Sequence, residues 1–132
     1  MHRSPKFYKQ AYLCQSESVT FARKAYGARG EAAARQYLED QGSAFVAANY
    51  QTRFGEIDLI MRDGETLVFV EVKARQRATQ GAPQEAVTAR KLKRLLHAAE
   101  TYMRETLYGG AWRVDVVAIT AADIVHLENV TI

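Results

Sequence analysis

The sequence predicts an α/β fold: a mixed β-sheet flanked by helices, with elements in the order α-β-β-β-α-β-β. Three observations predict it. Gly55 to Arg75, GEIDLIMRDGETLVFVEVKAR, reads as two strands around an Asp63-Gly64 turn, the dipeptide that fits a two-residue hairpin. LVFVEV, in the second of these strands, is apolar on both faces until Glu71, so it is a central strand covered on both sides. A helical stripe then separates it from a valine-rich strand, which makes the two strands parallel neighbours joined by a crossover.

Taken in order, residues 1–26 show no clean periodicity and read as a basic extension, mobile or loosely docked, with a short helix starting from Thr20. Phe7, Tyr8 and Tyr12 interleave with Lys6 and Lys9 there, a mix that suits nucleic acid or a protein partner as well as an incidental tail. Gly27 to Gln41 reads as a helix with Gly42 as its C-cap. Gly27, Gly30, Ala33, Ala34, Tyr37 and Leu38 share one arc, Glu31 lies at its edge, and Glu39 and Asp40 point to solvent. Ala44 to Tyr50 is the first strand, and Arg53, Phe54 and Gly55 lead into the hairpin.

A two-residue turn at Asp63-Gly64 sets Ile60 opposite Leu67, Asp58 opposite Phe69 and Glu56 opposite Glu71. Directly opposed residues share a face. One face then carries Glu56, Asp58, Ile60, Leu67, Phe69, Glu71 and Lys73, and the other carries Ile57, Leu59, Met61, Val68, Val70 and Val72 as core. Asp58 and Glu71 become diagonal neighbours, roughly 7–8 Å apart at the backbone. The register decides this: a three-residue turn would put the two carboxylates on opposite faces.

After Lys73 the chain enters a loop, RQRATQGAPQ, kept irregular by Gly81 and Pro83 and containing Gln84, a candidate near the attacking water. Thr88 caps the next helix, whose buried stripe is Leu92, Leu95, Leu96, Ala99, Tyr102 and Met103. Lys91 borders that stripe and reaches toward the carboxylates, and His97 is a surface histidine. Gly109-Gly110 breaks the chain before a strand from Trp112 to Ile119, in which Asp115 pairs with Arg113 or Lys91 or sits at a sheet end. Ile124 to Val130 is a final edge strand.

Composition bounds the function. The chain has 132 residues, enough for one domain (27–132 beyond the extension) that buries roughly two-thirds of its unfolded surface. A single cysteine, Cys14, excludes an internal disulfide and fits a reducing cytoplasm. No run approaches the ~18 apolar residues of a membrane span, and three scattered histidines give no zinc spacing. The net charge of +3 is uneven: residues 1–30 hold six Lys/Arg and one acid, and residues 31–132 hold twelve and fourteen. Whole-chain charge therefore says little about nucleic acid. Locally, Lys73, Arg75, Arg77, Arg90, Lys91, Lys93 and Arg94 face only Glu85, where a phosphate backbone would lie.

Asp58, Glu71 and Lys73 carry the chemistry. Two close carboxylates need a cation between them, and oxygen-only sites suit Mg²⁺ or Mn²⁺ with substrate phosphate oxygens. A lysine beside such an ion orients water or neutralises charge on the transition state. The alternative is a plain strand end, with Lys73 neutralising Glu56 or Glu71.

An Asp on one strand followed by E-x-K on the next resembles the PD-(D/E)XK nuclease superfamily. The ordered set GARGEAAARQYL, NYQTRFGEIDLI, VFVEVKAR, GAPQEAVTARK and RVDVVAI resembles its YraN-like branch, from about Gly27 to Asn129. Ile57 stands where the superfamily's proline would precede Asp58. The resemblance implies a restriction-endonuclease-like sheet and a metal-dependent endonuclease acting on DNA, with branched or structured DNA suggested by resolvase-like members. It implies Asp58, Glu71 and Glu31 as ligands of Mg²⁺ or Mn²⁺, Lys73 as the catalytic lysine, and a lysine at Lys91. Arg75, Arg77, Lys91, Lys93 and Arg94 are the candidate DNA contacts. Symmetric cleavage of two strands favours a two-fold homodimer. Two other classes stay open: a nucleic-acid-binding module without turnover, and a protein-interaction scaffold.

Overall fold

A computed structural model describes residues 6–10, 23–74, 88–120 and 122–130. Helix α1 (Arg23–Asp40) leads into strands β2 (Ala44–Thr52), β3 (Gly55–Asp63) and β4 (Thr66–Ala74), followed by helix α2 (Ala89–Glu105) and strands β5 (Trp112–Ile119) and β6 (Ile124–Glu128). This is the predicted α-β-β-β-α-β-β order. A further strand, β1 (Lys6–Gln10), lies ahead of it in a segment read from sequence as an extension. The sheet order is β1-β6-β5-β4-β3-β2, with β4 and β5 parallel and the other neighbours antiparallel. β6 is therefore not the edge strand the sequence suggested, because Lys6–Gln10 pairs along it.

Helix α1 begins at Arg23, ahead of the predicted Gly27, and ends where Gly42 adopts a φ of 99°. The Ser43 N–H donates to the Leu38 carbonyl at 3.0 Å and the Gly42 N–H to the Glu39 carbonyl at 3.0 Å, a Schellman closure. Helix α2 starts at Thr88, whose hydroxyl accepts from the Lys91 N–H at 3.1 Å.

The helices cover opposite faces. Ala34, Tyr37 and Leu38 of α1 pack on Leu59, Met61, Val68, Val70, Val117 and Ile119. Leu95, Ala98 and Ala99 of α2 pack on Ile57, Ile60, Leu67, Phe69 and Val114. Successive residues of β4 are thus buried alternately under the two helices, which accounts for its unbroken apolar run. Burying each large side chain here stabilises by about 1.5–3 kcal/mol.

The hairpin register differs from the sequence reading. Asp63 pairs with Thr66, Arg62 with Leu67 and Ile60 with Phe69, so the turn is Gly64-Glu65 rather than Asp63-Gly64. Gly64 has a φ of 61° and Glu65 is not in the left-handed region, the pattern of a type II′ turn with glycine at its first central position. The slip is two residues, so it preserves faces. Alternation does fail elsewhere: Ile57 packs under α2 with Ile60, not with Leu59 as expected.

On the α1 face, Asp115 is fully buried and accepts from Arg113 Nε at 3.1 Å and from the Asn129 N–H at 2.9 Å. His126 Nε2 lies 2.8 Å from Asp115 Oδ2, so that nitrogen carries the hydrogen, and His126 Nδ1 lies 3.1 Å from Tyr37 Oη. Arg113 also reaches Asp63 Oδ2 at 3.0 Å. Of the partners considered for Asp115, Arg113 is the one that binds it. Every buried side-chain polar atom among the described residues is hydrogen-bonded, and this network ties α1 to β5 and β6.

Candidate metal and phosphate site

The site forms where the sheet ladder ends. Pairing between β3 and β4 stops at Leu59–Val70, one step before Asp58 and Glu71 would meet. There the Val72 N–H, free of the ladder, donates to Asp58 Oδ2 at 2.8 Å. Ile57 and Leu59, on either side of Asp58, fall on opposite faces at this step.

The Glu71 and Asp58 carboxyl groups lie close enough for each to shift the other. Two carboxylates so close share a proton readily. Burial, with the Asp58 charge beside it, pushes Glu71 up to about 7, against the pull of Lys73 and Lys91. Burial also raises Asp58, and Glu56 adds to the rise, while the Val72 N–H and Lys73 oppose it.

Glu31 arrives from α1. Gly30 makes this possible: a Cβ there would stand 2.7 Å from the Cβ of Ala74, so only glycine lets the helix come this close to the end of β4. Glu31 is raised by burial and then by the charges of Asp58 and Glu56. It does not complete a cage. Among the described residues, no three His, Cys, Asp or Glu side chains converge closely enough to enclose an ion.

On the α2 side lies a cleft of about 220 Å³. Glu56, Glu71 and Lys73 line it from the strands, and Lys91 and Arg94 line it from α2. Asp58 and Glu31 are not in its wall. Lys93 is exposed on α2 and outside the lining, while Arg75, Arg77 and Gln84 fall outside the described residues. Phe54 closes one end, stacked on His97 with ring centroids 4.9 Å apart and with the Arg53 guanidinium 4.8 Å from its centroid. His97 is thus the surface histidine expected from the sequence, with 44% of its side chain exposed and its ring stacked on Phe54.

The model for the uncharacterised protein family UPF0102 matches residues 30–119. The chain belongs to this family. UPF0102 proteins of Herminiimonas arsenicoxydans, Serratia proteamaculans and Beutenbergia cavernae are 43%, 44% and 44% identical to it over 108, 111 and 115 residues. These matches cover 82%, 82% and 83% of this chain and 87%, 95% and 98% of the relatives. The UPF0102 span contains the cleft and the carboxylates but ends before His126. No described helix is long and apolar enough to cross a membrane.

The donor set fits a hard divalent cation. Asp58 and Glu71 offer only oxygen, they repel one another when ionised, and Mg²⁺ or Mn²⁺ takes few protein carboxylates and keeps its waters. Sequence reasoning missed Asn49, in the left-handed region at φ 53° in the middle of β2. Its one legible signal is that asparagine is among the few residues that tolerate that conformation.

Proposed function

We propose that this protein is a divalent-metal-dependent endonuclease that hydrolyses phosphodiester bonds in DNA. One observation carries the reading: Glu71, with the Asp58 charge beside it, lines a cleft together with Glu56, Lys73, Lys91 and Arg94. Acid to hold a cation and base to hold phosphates stand within one small concavity. The resemblance of Asp58 with Glu71-x-Lys73 to the PD-(D/E)XK superfamily supports it, and resolvase-like members of that superfamily make branched DNA the first substrate to try.

Asp58 and Glu71 would hold Mg²⁺ or Mn²⁺, with Glu31 beside Asp58 adding negative charge. When bound, the ion supplies Lewis acidity at the phosphodiester. Glu71 would release its proton on holding such an ion. The Val72 N–H keeps Asp58 from turning away. Lys73, next to Glu71, faces negative charge as it builds on the phosphate oxygens and orients the attacking water. Lys91 and Arg94 hold flanking phosphates from across the cleft, helped by the N-terminal end of α2.

A second reading has its own observation. Among the described residues no three His, Cys, Asp or Glu side chains converge closely enough to enclose an ion, as expected of a DNA-binding module without turnover. The two separate in one assay. Single-stranded, duplex and branched DNA and RNA are incubated with Mg²⁺, Mn²⁺ or EDTA. Metal-dependent cleavage of DNA that EDTA abolishes supports the nuclease. Binding without cleavage in either metal supports the module, and neither binding nor cleavage discards both.

A further inference from the structure

We propose that Asn49 is a positioning residue of this site: it bridges Glu31 of α1 and Glu56 of β3, and so keeps Glu31 beside Asp58. The proposal deepens the cation-binding reading above and rests on it for its functional half.

Asn49 lies in β2 across from Asp58. The residues on either side pair in register, Ala48 with Leu59 and Tyr50 with Ile57, but the Asn49 step is not part of the ladder. Its φ of 53° turns the backbone at that step. The hydrogen-bond network dictates the orientation of the amide. Its nitrogen donates to Glu56 Oε1 at 2.8 Å and to Glu31 Oε2 at 3.0 Å. Two carboxylates from different elements are thus fastened to one neutral group.

Asparagine meets two demands at once. A side-chain amide has two N–H donors and no charge, so it draws two anions together without neutralising either. Asparagine also adopts the left-handed conformation at less cost than most residues. Aspartate keeps the shape but has no donor and adds a third negative charge. Glycine keeps the backbone and has no side chain to bridge with. Alanine loses the bridge and is strained as well. Among the described residues, Asn49 is the hydrogen-bond partner that holds the Glu31 carboxylate, which faces Glu56 and Asp58, both of which repel it.

The test uses the full chain and the variants N49G, N49D and E31Q with the corresponding doubles. In the first arm, Mn²⁺ is titrated calorimetrically. N49G keeps its melting midpoint near wild type yet binds Mn²⁺ about 10–100-fold more weakly, the usual effect of losing a group that orients a ligand. N49G with E31Q binds no more weakly than E31Q alone, because the two changes remove the same contribution. Wild-type affinity in N49G, or losses that add, overturns the positioning role. The second arm needs no metal. N49D lowers the melting midpoint by a few degrees through like-charge repulsion, and E31Q restores part of it in the N49D background. No restoration overturns the bridge itself. If the wild type binds no Mn²⁺, the cation reading fails while the metal-free arm still decides whether Asn49 bridges the two carboxylates.

Discussion

Asp58 accepts a hydrogen bond from the Val72 N–H at 2.8 Å, which fastens a carboxylate of β3 to the backbone of β4 where their ladder stops. The bond satisfies a donor that the diverging strands would otherwise leave open, and it fixes a charge at the mouth of the sheet.

Asp58→Asn separates the two roles of that carboxylate. The amide oxygen still accepts from Val72, so unfolding free energy falls by no more than about 1 kcal/mol, whereas Asp58→Ala leaves the N–H unpaired and costs about 1–3 kcal/mol. Mn²⁺ affinity falls sharply in both. Urea titration beside calorimetry gives the comparison; equal loss of stability in the two variants refutes the role of the hydrogen bond.

Stability of the metal-free protein falls as pH rises from about 4.5 toward 7. Glu71 is raised from 4.5 to about 7, so in this window the folded state keeps a proton that the unfolded chain has released. The contribution is full below 4.5 and is lost through the folded value, at up to about 1.4 kcal/mol per pH unit. Glu71→Gln removes this slope. Melting curves at several pH values check it, and an unchanged slope in the variant assigns the proton elsewhere.

Lys73→Ala lowers cleavage by roughly 10²–10⁴-fold while Mn²⁺ binding stays the same or tightens, because a positive charge beside the ion opposes it. Near-full cleavage in this variant would make Lys73 only a partner for the Glu71 charge.

Lys91→Ala and Arg94→Ala each weaken DNA binding and reduce the salt slope of log K by about 0.9, the loss of one phosphate contact. Lys93→Ala, outside the cleft, does less. Binding isotherms at several salt concentrations rank the three; an equal effect at Lys93 points to a diffuse helix-face attraction rather than the cleft.

Asp115→Ala destabilises by about 3–5 kcal/mol, since it leaves Arg113 and His126 facing an empty buried site. Mn²⁺ binding by the folded fraction is unchanged, because this network is on the α1 side of β5 and shares no side chain with the cleft. A denaturation midpoint within error of wild type would show that the network adds no net stability.

The amino-acid sequence by itself determined the element order, the two buried faces of β4, the cap at Thr88, the stop at Gly42 and the gathering of Asp58, Glu71 and Lys73. These follow from periodicity, turn chemistry and the parity of strand pairing, all local. Parity is why Glu71 and Lys73 still share a face although the hairpin register differs by two residues: a shift of two preserves the face of each side chain that keeps the alternation. Tertiary structure alone decided the rest. The turn moved to Gly64-Glu65 because the left-handed position falls on Gly64, and pairing energy along the whole ladder fixes such a choice. The Val72 N–H bond to Asp58 and the break in alternation between Ile57 and Leu59 arise where the ladder stops, which no period in the sequence marks. Asn49 meets Glu31 and Glu56 only once α1 has docked at Gly30 and β2 has paired with β3. His126, Asp115 and Tyr37 likewise come from distant stretches, and contacts between such residues depend on packing that a linear pattern does not contain.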